Sequence, residues 1–440
     1  MKNEIFNTDH LYRTYFKMAF PVVFGLVVTL IYNLADTFFI AQTNSTALIA
    51  GVSICTPVFN TLMAFGNIYG QGGSSLISRL LGQKDFEGTR RISSFCFYIA
   101  ILTGTVLAVL MMLFRHPLLT VLGATPDTVS YASQYYSVLA ACAPVVVLSF
   151  IHSNLVRCEG LAVQAMLGNI IGTVINIILD PALIFGLGMG ARGAAVATVI
   201  GYFCSDLYFL ILLHKKKTCL SVAVSDFRVT SREVAQVFGV GITAALTNLM
   251  QSLTVIVLNQ CLLSYGNDKI AAMGIVLKIN MIAQLVLTGF AFGAVPLFGY
   301  LYGAGLKAII QKLLRFCLYF LSALSLILTV VLFLSSSQLM GLFIHDPAVI
   351  SIGSEMLRWQ IISTIFAGIV LLFTVLFQAT GKLLPAFLMS ISRQGIVFLG
   401  ALLVCASLFH YTGILAAQAV ADIFSTVLAL ALFWKSQIFD

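Results

Sequence analysis

The chain has 440 residues, of which 60% are hydrophobic and 9% charged, with a mean hydropathy of +1.02. Soluble domains are roughly half apolar and a quarter charged, so this composition excludes a soluble globular protein and points to a polytopic membrane protein. The net charge of +8 comes from basic residues that flank apolar runs and form no soluble patch, so it reads as topology information and argues against nucleic acid as a partner.

The first apolar run opens at Met18 and continues past Ile40. It is long enough to span a bilayer, and no cleavable signal pattern is evident. Apolar segments of spanning length fall near 14–40, 48–78, 92–114, 129–156, 163–187, 192–213, 235–263, 270–301, 314–335, 349–378, 384–409 and 413–436. They predict an all-α polytopic membrane protein of twelve transmembrane helices. If both termini are cytoplasmic, nineteen of the 24 Lys and Arg fall on inner segments, and only Arg115, Arg192, Lys269 and Arg358 on outer ones; Lys278 lies inside the eighth span. The positive-inside rule therefore predicts a multi-pass membrane protein with both termini cytoplasmic and the lipid bilayer as its surroundings. The nine Cys are scattered among apolar residues without Cys-x-x-Cys or His spacing, so they read as small buried side chains rather than disulfides or metal ligands.

Sliding the second half back by 221 residues places Gly72 on Gly293, Gly82 on Gly303, Phe95 on Phe316, Pro126 on Pro347, Gly160 on Gly381 and Ala165 on Ala386, with Gly193 on Gly413 at 220. Six spans is an even number, so the second copy re-enters from the same side. The expectation is two parallel six-helix lobes related by a pseudo-two-fold axis along the membrane normal: an N-lobe at 1–214, a cytoplasmic basic linker at 215–232 and a C-lobe at 233–440. The Lys run at the head of the linker is expected to be a solvated anchor facing lipid headgroups.

The fifth and sixth spans carry the most informative stretch. Asn176 precedes Asp180 by four residues, so both side chains share one helical face. Pro181 follows, without an N–H for the carbonyl of Ile177, so the backbone loosens beside the carboxylate. A carboxylate in a spanning helix costs about 2.5–3.5 kcal/mol on insertion scales and is a functional-site hypothesis by default. In the repeat, Asp36 maps to Val257, Asn154 to Val375, Asn176 to Val397 and Asp180 to Ala401, while Thr198 maps near Gln418. Polar groups needed for folding would be expected in both copies, so their presence in the first argues for an added function of the N-lobe. Asp36, Asp180 and Thr198 are expected in one layer roughly 6 to 10 Å below the outer surface, with Tyr32 and Asn33 one turn below Asp36. Two carboxylates that approach each other in a low-dielectric lobe call for a proton or a hard cation such as Na+ between them.

The other intramembrane polar groups are less specific. Lys278 either faces the central cavity or snorkels outward. Asn33, Lys278, Met281 and Gln284 are candidates for the substrate cavity. Met250, Met273, Phe290 and Phe292 are expected to serve packing. Asp206, Asp422 and Arg393, toward the inner ends of their helices, are expected to be solvated or structural between the lobes, and His152 to be a satisfied buried histidine.

The residues Pro21, Asn33-Leu-Ala-Asp36, Gly51, Gly70-Gln-Gly-Gly-Ser-Ser-Leu-Ile-Ser-Arg79-Leu-Leu-Gly82, Arg157-Cys-Glu-Gly160, Asn176, Asp180-Pro181 and Gly193-Ala-Ala-Val-Ala-Thr198 together resemble the multidrug and toxic compound extrusion (MATE) transporters. The Ser392-Arg-Gln-Gly395 stretch resembles the DinF-like, MepA-type bacterial branch. The resemblance covers nearly the whole chain. It implies export of amphipathic, often cationic drugs by alternating access, driven by inward flow of H+ or Na+, from a monomer without other cofactors. It also implies a cation site at Asp36, Asn176, Asp180 and Thr198, with Tyr32 and Asn154 nearby. The acidic pair that another branch carries in helices 7 and 10 has no counterpart: the seventh span lacks an acid, and Glu355 at the outer start of the tenth is a poor match.

Two rival readings remain at this stage. A flippase for lipid-linked oligosaccharide or precursor, from the same superfamily, would be expected to line its cavity with several basic residues, and Lys278 alone is thin support. An intramembrane enzyme would need His-Glu-x-x-His, paired Gly-x-Gly-Asp or a Ser/His pairing with an oxyanion loop, none of which occurs; no enzyme is expected.

Overall fold

The computed structural model describes all residues except 1–5, 7–8, 216–217, 345, 437 and 439–440, and the side chains of 252, 267 and 271. Lys2 of the topology count and Lys216 and Lys217 of the linker lie outside the described residues. In chain order the helices are α1 (Leu11–Ala41), α2 (Thr46–Ile54), α3 (Thr56–Gly82), α4 (Phe86–Leu113), α5 (Arg115–Val121), α6 (Val129–Ala141), α7 (Ala143–Cys158), α8 (Ala162–Pro181), α9 (Gly190–Lys215), α10 (Ser231–Leu263), α11 (Asn267–Gly293), α12 (Val295–Gly303), α13 (Lys307–Leu334), α14 (Ser336–Phe343), α15 (Pro347–Thr380), α16 (Leu383–Ile391) and α17 (Val397–Lys435). The described residues form no strand.

Prolines and small irregularities account for the breaks. Pro57, Pro144 and Pro296 sit in the first turns of α3, α7 and α12, where a missing N–H costs nothing. α6 and α7 meet at 58° and only together are long and apolar enough for one span, broken at the bend. Ten further helical runs are long and apolar enough to cross a membrane. One of them, Leu383–Lys435, has 53 residues. At 1.5 Å per residue it would extend about 80 Å, more than twice the hydrocarbon thickness. Its backbone turns at His410, with φ 52° and ψ −125°, which divides it into two crossings. The twelve apolar segments of the sequence thus each have a helical counterpart, in a multi-pass membrane protein.

The chain folds as two compact units, Phe24–Gly241 with Met1–Phe6, and Ile242–Asp440 with Asn7–Val23. The cuts fall inside α1 and α10 rather than in the linker. The head of α10 packs on α3: a Cβ on Gly72 would lie 2.0 Å from the Val237 carbonyl oxygen, and Tyr69 meets Phe238 edge to face at 5.5 Å. In the second unit the head of α1 packs on α11, where a Cβ on Gly293 would lie 2.4 Å from Ala19 Cα and the buried Tyr15 donates to the Phe290 carbonyl at 3.0 Å. Gly72 and Gly293 are partners in the 221-residue repeat, so the same glycine serves the same close helix approach in each copy. Gly160 and Gly381, another repeat pair, both adopt positive φ, +79° and +70°, at the ends of α7 and α15.

In the first unit α3, α4, α7, α8 and α9 pack together, α7 and α9 sharing several neighbours. In the second, α15 is the buried centre, touching α11, α13 and α17. Its core joins Leu258, Met273, Ile279, Met356, Leu402 and Leu415. Met273 and Phe290 are buried packing residues, as expected.

Candidate functional site: a polar cluster in the first unit

The cluster is built where α8 and α9 come closest. A Cβ on Gly201 would lie 2.6 Å from the Gly172 carbonyl oxygen and 3.2 Å from Asn176 Cβ, so two facing glycines let the backbones approach and bring Asn176 against Thr198. Asn176 Nδ2 stands 3.4 Å from Thr198 Oγ1 and 3.5 Å from Asp180 Oδ1. The second contact is the i,i+4 relation read from the sequence. Tyr32 on α1 reaches the other side of Thr198, hydroxyl to hydroxyl at 3.3 Å. Asn176, Asp180 and Thr198 are 2%, 0% and 2% exposed, which removes the water that would otherwise solvate them.

Pro181 ends α8, and the chain continues as a π-helical turn over Ala182–Gly186. Its wider i→i−5 bonds run from Leu187 N to Ala182 O at 2.9 Å. Gly193 on α9 supports this turn, since a Cβ there would stand 2.9 Å from the Leu183 carbonyl. Proline and π turn together follow directly on the carboxylate, a frequent placement for such irregularities.

Asp36 and Asp180 are close enough to feel each other's charge. Asp36 Oδ1, Asp180 Oδ2 and Asn176 Oδ1 are buried without a hydrogen-bond partner, and no ion pair to either aspartate occurs among the described residues. Three idle acceptors therefore accompany two carboxylates with no resident positive charge. Such an arrangement is costly unless a proton or cation supplies the missing donor. Carboxylate, amide and hydroxyl oxygens are also the donors that a hard cation takes. Two tyrosines missed by the sequence reading belong to this environment: Tyr135 on α6 lies in electrostatic range of both aspartates, and Tyr202 on α9 in range of Asp36. Tyr202 had a signal, being four residues after Thr198; Tyr135 had none.

The remaining candidates separate. Asn154 does not bond to the cluster: its Nδ2 donates to Phe150 O at 2.6 Å and its Oδ1 accepts from Arg157 at 2.8 Å. Asn33 is exposed on α1, and Lys278 and Met281 are exposed on α11. Gln284 is engaged, accepting from Arg393 at 3.1 Å. Of the two roles expected for Asp206, Asp422 and Arg393, solvated or structural, the side-chain contacts favour the structural one, within each unit. Asp422 is 0% and Asp206 4% exposed; Arg393 Nε bonds Asp422 Oδ1 at 3.1 Å, and His152 Nδ1 stands 3.1 Å from Asp206 Oδ1. The second unit thus has a polar cluster of its own; the 220-residue offset of α9 and α17 sets its Gln418 on Thr198 and its Asp422 on Tyr202.

The family model MatE matches residues 21–182 and 243–403, one stretch in each half. The chain belongs to the MatE family. It is 32% identical over 434 residues to the multidrug export protein MepA of Staphylococcus saprophyticus, covering 98% of this chain and 95% of that one. It is 31% identical over 438 residues to MepA of Staphylococcus haemolyticus, covering 99% and 96%. The fold is that of a solved structure described as the outward-facing conformation of a MATE family multidrug resistance transporter, with TM-score 0.90 at 22% identity, over 97% of this chain and 95% of that one.

Proposed function

We propose that this MatE family protein is a multidrug exporter that moves amphipathic, often cationic compounds outward in exchange for inward flow of H+ or Na+. The export reading draws support from full-length similarity to proteins named for multidrug export. The coupling reading rests on one observation: the first-unit cluster has three buried, unpartnered acceptor oxygens and no resident cation. A coupling ion would be held by Asp36, Asp180, Asn176 and Thr198, with Tyr32 bracing Thr198. Its binding biases the transport cycle only by holding one conformation more tightly than the other, since an ion with equal affinity for both shifts nothing. Pro181 and the adjoining π turn, and Pro21 within α1, are the backbone points where that bias is converted to movement. The basic flanks of the spans support cytoplasmic termini, and the working unit is a monomer.

The test uses purified protein in proteoliposomes with a cationic fluorescent dye, under an imposed pH gradient and an imposed Na+ gradient in separate trials. Wild type is expected to move dye under one gradient or both, and Asp180→Asn under neither while remaining inserted. Equal transport by that variant would sink the coupling reading. No dye movement by wild type under either gradient would sink the antiport reading itself.

A further inference from the structure

A second line of polar groups leads away from the cluster inside the first unit. Thr198, Tyr202 and Asp206 recur every four residues on α9, so they share one helix face and follow one another at about 6 Å intervals. Thr198 belongs to the cluster. Tyr202 lies in electrostatic range of Asp36 on one side and Asp206 on the other, with its ring packed on Phe59 and Phe150. Asp206 faces His152 on α7, the two side chains 6% and 4% exposed. The imidazole sits against the Phe97 and Phe209 rings at 5.7 and 5.9 Å. Asp206 Oδ2 and His152 Nε2 are buried and unpartnered.

The line ends under the linker. His152 lines a water-sized cavity with Ser93, Leu155, Leu213 and the linker residues Leu220 to Val222. The linker is strapped over it: Ser93 Oγ accepts from Ser221 N at 2.8 Å, Tyr98 donates to Val222 O at 2.8 Å, Ser94 donates to Ala223 O at 2.8 Å, and Glu159 accepts from Cys219 N. A buried histidine and aspartate inside a membrane unit are costly and mark proton routes more often than packing. With Nδ1 committed to Asp206, Nε2 is the ring atom left without a partner.

We infer that Tyr202, Asp206 and His152 form a proton path between the Asp36–Asp180 cluster and the cavity beneath the linker, with the His152–Asp206 pair as a second proton-holding site. This rests on the coupling reading above, with H+ as the ion. Asp206 Oδ2 has no partner at rest, so the path opens when the Tyr202 hydroxyl, one helical turn away on α9, turns to it: a proton from the cluster is taken up on the Tyr202 oxygen as the hydroxyl proton passes to that carboxylate oxygen. From Asp206 a proton crosses the 3.1 Å contact to His152 Nδ1, giving an imidazolium countered by the carboxylate. The Nε2 proton then leaves to water, so one proton enters, one leaves, and the pair returns to a carboxylate beside a neutral imidazole, with the same net charge of −1 as at the start. Tautomer exchange through the same water resets the ring.

The test compares Asp206→Asn, His152→Gln and Tyr202→Phe with wild type and Asp180→Asn in the proteoliposome assay, adding dye binding without a gradient and the conservative variant Asp206→Glu. Expected is a fall of about 100-fold in the pH-driven rate for Asp206→Asn and His152→Gln, the scale of losing one proton-transfer group. Dye affinity should be unchanged, and Asp206→Glu should restore most of the rate. If Asp206→Asn and His152→Gln run at the wild-type rate while Asp180→Asn is dead, the path is wrong and the cluster reading stands. If Asp180→Asn also runs at the wild-type rate, the cluster reading falls and the path with it. Transport driven by Na+ alone overturns the path. So does a loss in Asp206→Asn that is matched by lost dye binding and not restored by glutamate, because that is the signature of a structural role.

Discussion

Each unit buries carboxylate among polar side chains, and the two solutions differ in who supplies the positive charge. In the second unit Asp422 is fully buried, but its Oδ1 accepts from Arg393 at 3.1 Å and Gln418 at 3.0 Å, while Arg393 also donates to Gln284 at 3.1 Å. Ser392 and Ser425, hydroxyl to hydroxyl at 2.8 Å, close the arrangement. A resident guanidinium makes this cluster electrically complete and fixed. In the first unit Asp180 has the Asn176 amide at 3.5 Å, and neither it nor Asp36 has an ion pair among the described residues. One copy thus carries a side-chain counter-ion and the other does not, which is the difference the proposed coupling would use.

That contrast is sharpest under charge removal. Arg393→Met strands Asp422 in the core and is expected to cost about 3–5 kcal/mol, the scale for breaking one side of a buried pair. Thermal unfolding of the purified protein in detergent reads it directly. The double variant Arg393→Met with Asp422→Leu removes both charges and should recover most of the loss, because an apolar pair of similar volume is often neutral or better. Asp180→Asn should behave in the opposite way, retaining or raising thermal stability while losing gradient-driven transport. A large stability loss in Asp180→Asn would mean that the first cluster is as structural as the second, and the comparison would break.

The next largest effect separates the helix contacts beneath the clusters. Gly201→Ala places a methyl 2.6 Å from the Gly172 carbonyl oxygen. Forcing α8 and α9 apart is expected to cost about 1–3 kcal/mol and to pull Asn176 from Thr198, lowering transport more than stability alone explains. Gly400 on α17 has nothing within 4 Å of the corresponding position. Gly400→Ala should stabilise by about 0.5–1 kcal/mol through helix propensity. Equal losses at the two sites would show that the α8–α9 approach does not set the cluster.

The outcome of these contrasts bears on what a single sequence can carry. The spans were legible because apolar runs bounded by basic residues and proline are local signals. Asn176 and Asp180 were legible because four residues on one helix is a contact by geometry. The second cluster was not, since Gln284, Arg393 and Asp422 lie on separate helical segments and only the fold brings them together. Helix-end position left Asp206, Asp422 and Arg393 open between a solvated and a structural role, and only packing against partners distant in sequence decides for the second. The break at His410 falls between the segments 384–409 and 413–436 read from the sequence, whereas the packing of the heads of α1 and α10 depends on Gly293 and Gly72, whose role shows only when the facing backbone is known. A smaller test follows from the repeat itself. Gly160→Ala and Gly381→Ala each place a methyl on a left-handed residue at a helix end and should each cost about 1 kcal/mol; a cost at one site alone would separate the copies.

The smallest expected effect concerns the strap that joins the halves. Glu159 follows α7, outside the spans, and burial pushes its carboxyl up to about 7 although backbone donors of Cys219 and Leu220 oppose the shift. Its Oε2 is buried without a partner, which is the physical origin of the penalty on the charged form. A carboxyl raised in the folded state favours folding while it stays protonated, so its contribution is intact below the unfolded value near 4.5 and declines as pH climbs toward and past the folded value near 7. Glu159→Gln keeps an oxygen for the Cys219 N–H and removes the titration. Thermal unfolding of wild type should therefore weaken relative to the variant between pH 5 and pH 8 by on the order of 1 kcal/mol, with the two nearly equal at pH 5. A gap of the opposite sign would mean that the carboxylate form is the one held by the linker amides, and that the strap tightens rather than loosens as pH rises.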